Sequence, residues 1–164
     1  MKSASLRRAL FLRNLVFGVE DGLVSTVGLL SGIAIAGVPR ETIFLTGVVL
    51  IFVEAFSMAA GSFLSEASVE EMNGGVDDTR GSITAGVVMF TAYFLAGLVP
   101  LLPYLKFEVT EAFPVSIACS VFALLVLGYW SGRKTKSAWR KAVRMALVGG
   151  LAILVGVFAG SLLT

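Results

Sequence analysis

V-F-G-V-E-D-G-L-V-S-T-V-G-L-L-S-G-I-A-I-A-G, residues 16–37, decides how this chain is read. The run is long and apolar enough for a helix that crosses a bilayer, which takes about 20 residues. It nevertheless holds two adjacent carboxylates, Glu20 and Asp21. A charge at the centre of a span costs roughly 2.5–3.5 kcal/mol on insertion scales, so a span that retains one predicts a use for it.

The rest of the chain agrees with a membrane setting. Of its 164 residues, 57% are hydrophobic and 15% charged, where soluble domains carry about 25% charged residues. A soluble fold of this size has too little interior to hide that apolar surface. Five apolar runs, 14–38, 42–64, 82–102, 112–129 and 145–164, predict one all-α domain of five transmembrane helices. The first run is too long for the h-region of a signal peptide, and its two acids interrupt it, so it is read as a span that stays. Pro39-Arg40-Glu41 predicts a tight turn between the first two spans, and Pro100 and Pro103 close the third.

Charge sets the orientation. With the N-terminus in the cytoplasm, Lys2, Arg7, Arg8, Arg13, Arg80, Arg133, Lys134, Lys136, Arg140, Lys141 and Arg144 lie inside, against Arg40 and Lys106 outside. That asymmetry follows the positive-inside rule and puts the C-terminus outside. The loop at 131–144 is basic and suits anionic lipid headgroups. The loop at 65–81 is acidic, against the trend of its side. There Glu66, Glu70, Glu71 and Met72 form a candidate cytoplasmic capture patch for cations, the plainer reading being a solvated face.

Small residues recur at helix-packing spacing. Gly18 with Gly22, and Gly28 with Gly32, make two G-x-x-x-G pairs on the first span, and Ala152, Gly156 and Gly160 a ridge on the last. Such ridges let backbones approach, either within one bundle or at a seam between two copies. Five helices make a thin bundle, which favours oligomerisation. The single Cys119 excludes an intrachain disulfide and reads as a small packing residue.

The second span adds Glu54 near its middle and Met58 one turn later on the same face. A short turn makes the first two helices antiparallel neighbours, and Asp21, Glu54 and Met58 then fall at similar depth. Ser25, four residues after Asp21, can join that face, and Ser62 is taken with Ser25 as a secondary pathway residue. Glu20 points about 100° away from Asp21 and is left facing a second copy, a lipid headgroup or the pathway. Two carboxylates in a poorly solvated setting repel each other, and either protons or a divalent cation relieves that repulsion. Competition between the two is the minimum mechanism of metal/proton exchange. Oxygen ligands suit Mg2+, Ca2+, Mn2+ and Fe2+, and a thioether tilts the choice toward transition ions. With no histidine, and no nucleophile–base pair or phosphate-binding loop, an enzyme is not expected. Neither is a permanently bound cofactor or a nucleic-acid partner.

G-V-E-D-G-L-V-S-T-V-G-L-L-S-G in the first span and E-A-F-S-M-A-A-G-S-F-L-S in the second resemble the vacuolar iron transporter family. The family pattern is an Asp-Gly-Leu-Val-(Ser/Thr) element followed by a Ser-Met-(Ala/Gly)-x-Gly element. The resemblance implies a five-helix homodimer whose pathway runs between protomers, lined by the first two helices. It implies export of Fe2+, and often Mn2+, from the cytosol in exchange for protons, with Asp21 and Met58 at the matching positions and Glu54 as the nearby acid. Many members have an acid after the Gly of the second element, where this chain has Gly61-Ser62-Phe63. Eukaryotic members also insert a long Glu-rich cytoplasmic domain, for which 65–81 is too short. The expectation is therefore a short member in a prokaryotic inner membrane. The competing expectations are a non-transporting assembly or sensing protein with structural carboxylates, and a transporter of a different cation.

Overall fold

The computed structural model describes residues 2–72, 79–133 and 137–162. Asp77, Asp78, Lys134 and Lys136, and the last residues of the fifth expected span, lie outside them, as do the side chains of Lys2 and Arg7. The chain is all helical over the described residues: α1 Lys2–Ile35, α2 Arg40–Met72, α3 Thr79–Leu101, α4 Pro103–Lys106, α5 Val109–Gly132 and α6 Ala138–Ser161. All but α4 are long and apolar enough to cross a membrane, so the protein is an integral membrane protein of five spans.

The helices outrun the apolar runs that announced them. Lys2–Arg13 is the start of α1, and α2 continues past Leu64 through Met72, so much of the acidic segment 65–81 is helix. Helical periodicity does not stop where hydropathy does, and neither segment has a Pro or Gly breaker before residue 73. At 1.5 Å per residue, α1 and α2 are each about 50 Å long, well over a hydrocarbon core of about 30 Å. In the basic segment 131–144, helix occupies all the described residues except Arg133 and Ser137. α1 and α2 are joined by a sharp reversal, where Gly37 takes φ +73°, a backbone state that glycine adopts freely.

The first helix is the centre of the bundle. It packs chiefly on α3 and α6, and α2 packs chiefly on α3. Both of its glycine pairs are used within the chain. A Cβ on Gly22 would lie 2.5 Å from the Tyr93 carbonyl oxygen of α3, and one on Gly18 2.9 Å from the Ala92 Cβ. A Cβ on Gly32 would lie 2.6 Å from the Gly156 carbonyl oxygen of α6. Close backbone approach of this kind supplies the van der Waals contact that holds helices together in lipid. The expected neighbourhood of the first two helices is thus looser than a short turn suggests, because α3 wedges against both. They meet in an apolar cluster of Leu30, Ile43, Ile51, Leu101 and Tyr104 at the turn end, and again through an ion pair at the far end. Cys119 is exposed on α5 rather than packed inside.

Candidate metal site

Asp21 lies on the half-buried face of α1, lining an open groove of about 520 Å3 toward α6 with Ser25, Gly28 and Gly32. Glu54 and Met58 are half-buried on α2. α2 buries a stripe of Ile43, Gly47, Ile51 and Ala55 against the bundle, and Glu54, one residue before Ala55, sits at its edge. Glu54 is the neighbouring charge felt by Asp21, and both carboxylates act electrostatically on the Tyr93 hydroxyl. Among the described residues neither carboxylate has a basic partner in a salt bridge. No three acidic, His or Cys side chains there come together as a ready metal cage. One chain therefore offers two carboxylates, with the Met58 thioether on the same α2 face.

Ser25 is already engaged. Its hydroxyl donates to the Asp21 carbonyl oxygen at 2.7 Å and pairs with the Tyr93 hydroxyl at 2.6 Å. With its one proton given to the carbonyl, Ser25 accepts from Tyr93. Tyr93 itself is fully buried on α3 and was missed by attention to the first two spans alone. A phenol in mid-span is the signal that finds it, since a buried tyrosine hydroxyl requires a partner.

The remaining candidates separate. Ser62 has a buried hydroxyl without a partner, where the family pattern often has an acid. Glu66 is buried and accepts from the Arg13 guanidinium at 2.7 Å. Glu70 accepts from Ser82 at 3.2 Å. Glu71 and Met72 are exposed, Met72 by 87%. Glu66 and Glu70 line one groove together with Arg80, while Glu71 and Met72 stand outside it. Glu20 turns away from the Asp21 groove and lines two other grooves with Lys141.

Comparison with known proteins gives one consistent result. The VIT family matches residues 12–75 and 69–161. Vacuolar iron transporter homolog 4 of Arabidopsis thaliana is 30% identical over 157 residues, covering 88% of this chain and 79% of the relative. Vacuolar iron transporter homolog 1 of Oryza sativa subsp. japonica is 31% identical over 172 residues, covering 90% and 72%. Vacuolar iron transporter 1 of Tulipa gesneriana is 24% identical over 203 residues, covering 86% and 82%.

Proposed function

The chain belongs to the VIT family, and from that premise we propose that it carries Fe2+ or Mn2+ out of the cytosol in exchange for protons. Asp21 and Glu54 are the charged ligands and proton carriers, and Met58 is the soft ligand that favours a transition ion. The observation that carries this reading is that Asp21 and Glu54 are half-buried carboxylates in spanning helices, with Glu54 the neighbouring charge at Asp21 and no basic salt-bridge partner for either among the described residues. Two such carboxylates are relieved either by protons or by a divalent ion, so loading one releases the other.

The homodimer is part of the proposal. Phe52, Val53 and Phe56 on α2 are exposed, and a second copy set against this face would close the site on its open side. An N-terminus in the cytoplasm is supported by eleven Lys and Arg on that side against Arg40 and Lys106. A prokaryotic inner membrane is part of the proposal, although the relatives are named for the vacuole. Localisation of a tagged chain decides between these membranes.

The test is metal-driven proton flux in proteoliposomes. Fe2+ or Mn2+ is expected to drive proton movement in the opposite direction. Asp21→Asn and Glu54→Gln are each expected to reduce it at least tenfold while the protein stays folded. Unchanged flux in either variant removes that residue from the site. An assembly or sensing role predicts no flux from the parent, with Asp21→Asn lowering thermal stability instead.

A further inference from the structure

At the end of the bundle that carries the N-terminus, α1, α5 and α6 enclose a groove of about 570 Å3. Its walls are apolar, from Leu12, Val16 and Phe17 of α1, Trp130 of α5 and Met145 of α6. Arg13, Arg133 and Lys141 line it as well. A second groove of about 460 Å3 shares Glu20, Lys141 and Met145 with the first and adds Arg140, Arg144 and Val148. Five cations therefore line the joined space against the single carboxylate of Glu20. Arg13 is partly committed to Glu66, and Lys141 acts electrostatically on Glu20. Arg133 stands over the Trp130 ring at 5.6 Å, a cation–π contact that holds the guanidinium beside the groove. Past Val148, α6 continues outward with exposed Leu151, Val155 and Phe158.

We propose that this groove binds an anionic phospholipid, with the phosphate held by Arg133 and Lys141 and an acyl chain along Met145, Val148 and the outer face of α6. Charge alone is satisfied by any anion. The apolar walls and the continuous apolar strip below the cations fit a ligand with a charged head and a hydrocarbon tail. Basic pockets between spanning helices on the positively charged side take such headgroups, and a tryptophan at the same level fits the interfacial belt.

Native mass spectrometry and thermal unfolding of the full chain in neutral detergent test this, with phosphatidylglycerol, phosphatidylcholine and inorganic phosphate as the three probes. Phosphatidylglycerol is expected to stay bound and to raise the unfolding temperature. Phosphatidylcholine and inorganic phosphate are expected to do neither. The double variant Arg133→Gln/Lys141→Gln is expected to weaken phosphatidylglycerol at least tenfold, each surface charge contributing about fivefold. Lys141→Arg retains binding. Arg80→Gln, which removes one charge away from this groove, leaves binding unchanged and serves as the control. Equal weakening by Arg80→Gln overturns the site in favour of diffuse charge. Equal binding of phosphatidylcholine or of phosphate alone, or no retained phosphatidylglycerol, overturns it as well.

Discussion

α1 and α2 are nearly equal in length, both span, and both carry candidate metal ligands, yet they are embedded differently. In α1, 50% of the spanning window is buried within the chain; in α2, 22% is. α1 is gripped on two sides by backbone contacts through Gly18, Gly22, Gly28 and Gly32. α2 touches the bundle along a narrow stripe and presents Leu45, Val49, Phe52, Val53 and Phe56 outward. The candidate site thus joins a carboxylate on a fixed post to a carboxylate and a thioether on a helix with one free side. Close packing fixes the first position, and its absence leaves room for lipid or another copy at the second.

The contrast is broken most severely by filling the backbone contacts. Gly32→Leu drives side-chain atoms into the Gly156 carbonyl and is expected to lose at least the 1–3 kcal/mol typical of overpacking, read as a collapsed unfolding temperature or aggregation on size exclusion. Gly61→Leu on α2 meets nothing within 4 Å and is expected to leave stability within about 0.5 kcal/mol. If the two variants behave alike, the difference between the helices is not one of packing.

Next in size is the tie between the two helices. Arg13→Gln leaves the Glu66 carboxylate, only 10% exposed, without its cation. A loss of roughly 1–3 kcal/mol is expected, and Arg13→Gln/Glu66→Gln is expected to recover part of it in chemical or thermal unfolding. Smaller again is Tyr93→Phe, which removes the hydroxyl that donates to Ser25. About 0.5–1.5 kcal/mol is expected, with a folded protein whose metal-driven flux reports whether that bond positions Asp21. Smallest in stability is Phe56→Ala. The side chain is 70% exposed, so a change within about 0.5 kcal/mol is expected. Light scattering would then show dissociation if α2 pairs with a second copy, and an unchanged mass would remove this face from the proposed dimer.

Five spans were legible because hydropathy over about 20 residues is a direct physical requirement of crossing lipid. Their true lengths were not legible, because Lys2–Arg13 and 65–72 are polar yet remain helical. The glycine spacing announced close packing but could not say against what. The structure sets Gly18 and Gly22 against α3, and Gly28 and Gly32 against α6. Asp21, Glu54 and Met58 were visible as misplaced charges and a soft neighbour one turn away. Tyr93 was not, since its link to Ser25 depends on α3 lying between the first two helices in space rather than in sequence. The acidic run looked like one patch because letters lie side by side. A helix turns adjacent residues about 100° apart, so Glu66 and Glu70, four residues apart, line one groove while Glu71 and Met72 turn out to an exposed face.

The pair formed by α1 and α2 is fastened at both ends, by the apolar cluster beside Gly37 and by Arg13 with Glu66. Struts pinned at both ends cannot slide past one another without breaking a pin. A slip of one residue would shift Glu54 along its axis by about 1.5 Å relative to Asp21. What such a frame permits is bowing at its middle, where those two carboxylates lie. Motion there changes their separation more readily than their offset along the axes, and in the proposed site separation is what would tighten or loosen the hold on a cation.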